Sequence, residues 1–248
     1  MLSVHLTRFL ELKIKTIILA GGLGTRISEE TSDKPKPMVL IGNKPILWHV
    51  MSVFANQGFK EFVIAGGYKI DVLRKWVSIL NSPWSVEILD TGENDQTGSR
   101  IIQSVSHIGD EQCFVTYGDG LGNINLNNLL RFHNQHKAPL TITAVRPPSR
   151  FGVLESRNGI VTHFGEKNQA DAGWINGGFF VVESEIGKIE YSKDTSFEVD
   201  IIPKLVANQK VSAFHHSGFW QPMDTLREKL ILEEFSTKIP PPWLSHEL

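Results

Sequence analysis

The sequence predicts an α/β fold, with a mixed, mostly parallel central sheet flanked by helices. Three observations carry that expectation. Short apolar runs of strand length recur at 16–20, 61–65, 86–89 and 112–117. Helical patterns alternate with them, over 46–57, 70–79 and 126–136. Several of the strand-like runs are apolar at consecutive positions, as strands covered on both faces are. Alternation of this kind builds a parallel sheet with helices packed against it.

Taken in order, the run 16–20 ends on glycines, the helix 46–57 follows Pro45, and the helix 126–136 has Asn125 as its N-cap. Strand-like runs continue at 140–145 and 179–182. The second half changes character, with short strands over 152–155 and 160–164 and then the pair Gly177-Gly178. These read as an antiparallel addition to the same domain. A last helix, 226–235, precedes Pro240-Pro241-Pro242, which must leave helical geometry. The expected organisation is one domain over 14–248 preceded by an extension, 1–13.

At 248 residues and 41% hydrophobic content, the chain can bury one large core. Lys and Arg total 25 against 27 Asp and Glu, a formal charge of -2, and no basic run offers a nucleic-acid surface. Any affinity for phosphate must therefore be local. Cys113 is the single cysteine and sits in an apolar run, which excludes an intrachain disulfide and fits a core residue in a reducing, cytoplasmic compartment. No apolar stretch approaches the roughly 18–20 residues that span a bilayer, so no membrane partner is expected. Residues 1–13 lack the long apolar region and cleavage site of a secretory signal.

The chemistry concentrates after the first strand, in Gly21-Gly22-Leu23-Gly24-Thr25-Arg26. In an open parallel sheet, ligands collect at the carboxyl ends of the strands. Glycines let backbone amides approach a polyphosphate, Thr25 adds a hydroxyl, and Arg26 adds a positive fork. The loop is neither a P-loop nor a GxGxxG fingerprint, and taken alone it could equally be a tight turn. Lys36 follows in Lys34-Pro35-Lys36-Pro37-Met38, where two prolines stiffen the backbone that aims it. Asp119 lies between Gly118 and Gly120 at the end of the run 112–117, and Asp224 lies before Thr225. Magnesium takes one or two protein carboxylates and fills its other positions with phosphate and water, so these two aspartates are metal-ligand candidates. Each also has a plainer reading, Asp119 as a turn former and Asp224 as the cap of the last helix. Further on, Glu166 and Asn176 can hydrogen-bond sugar hydroxyls, Lys167 can hold a phosphate, and Trp174 offers an apolar face or a core side chain. The nine histidines show no zinc-ligand spacing.

Together these segments resemble the sugar 1-phosphate nucleotidyltransferases, and within them the glucose-1-phosphate cytidylyltransferase branch. The resemblance rests on Leu19-Ala20-Gly21-Gly22-Leu23-Gly24-Thr25-Arg26, Ser28-Glu29-Glu30-Thr31, the Lys34 to Met38 segment and Lys44-Pro45-Ile46-Leu47-Trp48-His49. It extends through Thr116-Tyr117-Gly118-Asp119-Gly120, Trp174-Ile175-Asn176-Gly177-Gly178 and Gly218-Phe219-Trp220-Gln221-Pro222-Met223-Asp224-Thr225. The last string carries the branch assignment. The resemblance implies a Rossmann-like nucleotidyltransferase fold and an enzyme that joins CTP and a sugar 1-phosphate, with Mg2+ as cofactor and identical subunits as partners. It implies that Leu19, Ala20, Gly21, Gly22, Gly24, Thr25 and Gly118 cradle the nucleotide and that Arg26 and Lys36 neutralise its phosphates. Gly98 and Arg100 would meet the base, Glu166, Lys167 and Asn176 the sugar phosphate, and Asp119 and Asp224 the metal. Two departures bear on the acceptor. The segment between Trp76 and Val86 is shorter than in that branch, and Phe-Gly-Glu-Lys-Asn stands where Phe-Arg-Glu-Lys-Pro is usual. A different phosphorylated acceptor, or an inactive regulatory subunit on the same fold, are the competing readings.

Overall fold

The computed structural model describes residues 14–109, 111–148, 152–166 and 173–245, with the side chains of 152–155 and 163–166 outside that description. The expected extension over 1–13 also lies outside it. The chain runs through β1 (Thr16–Leu19), α1 (Ser28–Thr31), the small hairpin β2 (Leu40–Ile41) and β3 (Lys44–Pro45), α2 (Ile46–Ala55), β4 (Glu61–Gly66), α3 (Ile70–Ser78) and β5 (Ser85–Asp90). It continues with α4 (Thr97–Ile108), β6 (Cys113–Tyr117), β7 (Gly120–Gly122), α5 (Leu126–His136), β8 (Leu140–Val145), β9 (Gly152–Arg157) and β10 (Ile160–Glu166). After β11 (Ile175–Val182), a π-helical turn (Phe197–Ile201) leads into α6 (Ile202–Ala207), followed by β12 (Val211–His216), β13 (Trp220–Pro222) and α7 (Leu226–Ser236).

Seven strands form one sheet in the order β12-β8-β11-β6-β1-β4-β5. β1 pairs in parallel with β4 and β6, β4 with β5, and β8 with β12. β11 alone runs antiparallel, to both β6 and β8. The mixed, mostly parallel sheet is thus as expected. The antiparallel character of the second half takes two forms, β11 inside the main sheet and the separate β9-β10 hairpin.

The strands read as continuous apolar runs because successive residues enter different cores. Ile18, Ile64, Phe114 and Val181 pack on one face with α2, α5 and α7. Their neighbours Ile17, Val63, Val115 and Val182 pack on the other with α4 and the 197–201 turn. Cys113 is fully buried on that second face, as expected of a core residue. α2 stops at Ala55, two residues before the pattern predicts. Gly58 takes φ 96°, and Gly58 N and Phe59 N donate to Ala55 O and Phe54 O, closing the helix with a left-handed glycine. α4, α6 and β12 have no counterpart in the sequence reading. No helix among the described residues is long and apolar enough to cross a membrane.

Candidate active site

The carboxyl ends of β1 and β6 and the start of β11 open on a cleft of about 880 Å³. Thirteen predicted residues line it: Leu19, Ala20, Gly21, Gly22, Gly24, Thr25, Arg26, Lys36, Arg100, Gly118, Asp119, Asn176 and Asp224. Lys167 lies outside the described residues, and Glu166 is placed only as the last residue of β10.

The loop after β1 is held by its backbone. Ala20 N donates to Ala65 O at 2.9 Å and Tyr68 N to Gly21 O at 3.2 Å. Gly24 takes φ 65° to turn the chain into a 3-10 helix at Thr25–Ile27, and Thr31 Oγ1 donates to Gly24 O at 3.2 Å. Gly21 is glycine for a packing reason. A Cβ there would fall 2.1 Å from Arg100 Nη1.

Lys36, Asp119 and Asp224 meet at one point. Lys36 starts a 3-10 helix behind the extended Pro35, and its side chain is only 11% exposed. Its Nζ donates to Asp119 Oδ2 at 2.6 Å and Asp224 Oδ1 at 2.7 Å, while Arg26 Nη1 donates to Asp224 Oδ2 at 2.9 Å. Burial pushes the Lys36 pKa down, but Asp119 and then Asp224 outweigh it and the net shift is upward. Gly118 brings Asp119 in close. Its N–H donates to Leu19 O at 3.0 Å, and a Cβ would lie 2.7 Å from that oxygen and 2.9 Å from Pro37 Cγ. Asp224 does not cap α7. Thr225 does, in a capping box in which Thr225 accepts from Glu228 N and the Glu228 carboxylate accepts from the N–H groups of Thr225 and Asp224. The Asp224 carboxylate is thereby directed at Lys36 and Arg26. Two carboxylate oxygens already converge on a single cationic atom, a donor set that fits the one or two carboxylates Mg2+ takes beside phosphate and water. Among the described residues no group of three or more His, Cys, Asp or Glu side chains could hold a metal ion.

The two residues expected at the base behave differently. Gly98 sits inside α4 and does not line the cleft; a Cβ there would meet Thr195 O at 2.8 Å and Phe197 N at 2.9 Å, so it serves close packing. Against the expectation that Arg100 donates to a base, its four terminal N–H donors are engaged within the protein. Nη1 donates to Gly66 O and Thr91 Oγ1, and Nη2 to Gly21 O and Glu93 O, at 2.7–3.2 Å. Buried at 3% exposure, Arg100 braces the 21–26 loop. Trp174 is exposed, with the Arg146 guanidinium 4.6 Å from its ring centre and His215 edge-on at 4.5 Å.

Thr97, Tyr117 and Glu198 also line the cleft; sequence reasoning missed Glu198 and gave Thr97 and Tyr117 no role of their own. Tyr117 closes the strand before Gly118-Asp119, the one local signal among them.

A profile of the nucleotidyl transferase family matches residues 15–227. The chain belongs to that family. It is 40% identical to the glucose-1-phosphate cytidylyltransferase of Salmonella typhimurium over 257 positions, covering 94% of this chain and 100% of that one. It is 30% identical to the mannose-1-phosphate guanylyltransferase catalytic subunit beta of Drosophila melanogaster, covering 86% of this chain and 61% of that one. Among solved structures, HddC from Yersinia pseudotuberculosis superposes with a TM-score of 0.70 at 25% identity, over 89% of this chain and 98% of that one.

Proposed function

We propose that this nucleotidyltransferase transfers a cytidylyl group from CTP to glucose 1-phosphate, giving CDP-glucose and pyrophosphate, with Mg2+ as cofactor and identical subunits as its partners. The observation that carries the reaction is the convergence of Asp119 and Asp224 on Lys36 Nζ beside the 21–26 loop. Identity to the Salmonella cytidylyltransferase over its whole length supports the choice of nucleotide and acceptor.

The second ionisation of a phosphate monoester lies near pH ~6, so the acceptor oxygen is already charged at neutral pH and needs no general base. That oxygen forms a bond to the α-phosphorus of CTP while the bond from the α-phosphorus to the bridging oxygen breaks, and pyrophosphate leaves with the electron pair. The protein's task is alignment and charge neutralisation. The backbone of residues 21–25 faces the triphosphate, Arg26 reaches it from the exposed rim, and Lys36 supplies charge from a stiff Pro-Lys-Pro turn. Bound Mg2+, held by Asp119 and Asp224, would neutralise triphosphate charge and polarise the reacting phosphorus. Arg100 holds the loop in shape for this. Lys167 grips the acceptor phosphate, and Glu166 and Asn176 bind its hydroxyls.

The test is pyrophosphate release from each of the four NTPs against the 1-phosphates of glucose, mannose and galactose. CTP with glucose 1-phosphate is expected to exceed every other pair. A higher rate with another pair would overturn the substrate assignment, and no release from any pair would overturn the reaction.

A further inference from the structure

Beyond the residues assigned so far, the wall of the cleft between the α4 N-terminus and β11 carries a carboxylate. Glu198 stands in the π-helical turn Phe197–Ile201. Such turns are rare and concentrate at functional sites. This one is pinned on three sides. Thr97 Oγ1 accepts from Phe197 N at 3.0 Å, Ser196 N donates to Asp200 Oδ2 at 2.8 Å, and the absent Cβ of Gly98 lets the turn lie directly on α4.

The Glu198 carboxylate links two ends of the cleft. Its Oε2 accepts from Thr97 Oγ1 at 2.6 Å and Ser196 Oγ at 3.1 Å, and its Oε1 accepts from the Tyr117 hydroxyl. Tyr117 in turn accepts from Asn176 Nδ2 at 3.3 Å, and Asn176 Oδ1 accepts from Gly178 N at 2.8 Å. A carboxylate oxygen only accepts, so the Tyr117 hydroxyl is the donor to Glu198 and its own oxygen faces the Asn176 amide as acceptor. Direction is therefore fixed along the chain of bonds. Each carboxylate oxygen has two lone pairs. Oε2 has spent both within the protein, whereas Oε1 has spent one. On the other side of the phenol, Asn176 Nδ2 has one N–H left after Tyr117. A sugar hydroxyl is at once donor and acceptor, and vicinal hydroxyls present both beside each other; one acceptor and one donor flanking Tyr117 answer that pattern.

We propose that Glu198 determines acceptor specificity: its Oε1, set by Thr97, Ser196 and Tyr117, accepts a hydrogen bond from a ring hydroxyl of the sugar phosphate, beside the Asn176 amide. This rests on the acceptor being glucose 1-phosphate. A site built to pair a substrate hydroxyl discriminates strongly against an analogue lacking it, because its own polar group is then left unpaired.

The test compares the unaltered chain with Glu198→Gln and Tyr117→Phe, with glucose 1-phosphate and its 2-, 3-, 4- and 6-deoxy analogues. Glu198→Gln is isosteric and is expected to raise KM for glucose 1-phosphate about tenfold or more, leaving KM for CTP within about twofold. Tyr117→Phe should shift the same parameter in the same direction. One deoxy analogue should be poor for the unaltered chain yet no poorer for Glu198→Gln, which identifies the hydroxyl. An unchanged KM for glucose 1-phosphate in Glu198→Gln overturns the proposal alone, and so does an equal rise in both KM values, the mark of a structural role. Failure of the unaltered chain to use glucose 1-phosphate overturns the acceptor reading and the proposal with it.

Discussion

Asp119 and Asp224 each hand one carboxylate oxygen to the same Lys36 ammonium, at 2.6 and 2.7 Å. Met223 N donates to Asp119 O at 2.9 Å, which joins the two segments by their backbones as well. The lysine holds together two like charges that would otherwise repel. Lys36→Met is expected to lower transfer on the order of a hundredfold or more. Nucleotide-free protein should at the same time bind Mn2+ more tightly, because the carboxylate pair has lost its competing cation. Titration followed by the Mn2+ electron spin resonance signal checks this; weaker metal binding in Lys36→Met would contradict it.

The Lys36 pKa makes a claim about alkaline stability. Its folded value lies above the ordinary 10.5, despite burial, because of Asp119 and Asp224. A group raised on folding contributes stability that is fully present below its unfolded value and lost as pH rises through the folded one. The difference in unfolding free energy between the unaltered chain and Lys36→Met should hold constant up to about pH 10 and shrink above it. Denaturant melts across that range are the check, and a difference that shrinks between neutral pH and about pH 9 would refute the assignment.

Arg100 is predicted to act through the fold. Removing its guanidinium in Arg100→Met takes the charged donor away from the carbonyls of Gly21, Gly66 and Glu93, of which Gly21 keeps Tyr68 N and Gly66 keeps Thr91, for a loss on the order of 3 kcal/mol. Arg100→Lys should recover little of it, since one ammonium cannot span the positions the planar fork reaches. Thermal unfolding decides, and a lysine variant as stable as the unaltered chain would disprove the brace.

Much of the fold was legible because strands with two covered faces leave continuous apolar runs, as at 16–20 and 112–117. The site was legible where its chemistry is local, in the 21–26 loop and the Pro-Lys-Pro turn. What lay beyond reach was nonlocal. Asp224 before Thr225 reads equally as a helix cap until Glu228 is seen to complete the box with Thr225. Gly98 reads as a close approach to a ligand, yet its reason, Thr195 O and Phe197 N, stands about a hundred positions away. Nothing around Glu198 in Ser196-Phe197-Glu198-Val199-Asp200 marks a π-helical turn, whose geometry comes from docking on α4. β12, half exposed at the sheet edge, shows no apolar run of the kind its buried neighbours have.

Cys113 offers a simpler prediction. Burial, reinforced by Glu183, pushes its thiol well above the ordinary range, and it is fully enclosed. The native chain should not react with a thiol-directed chromogenic reagent, and reaction should track unfolding in denaturant. Rapid reaction of the folded chain would contradict the packing of β6.

The most direct test of the site is CDP-glucose formation by Asp224→Asn at saturating CTP, glucose 1-phosphate and Mg2+, beside a thermal melt of the same protein. Because Thr225 and Glu228 keep the cap of α7, the melt should move little while turnover falls on the order of a hundredfold or more. Turnover equal to that of the unaltered chain would contradict the assignment of Asp119, Asp224 and Lys36 as the centre of the reaction.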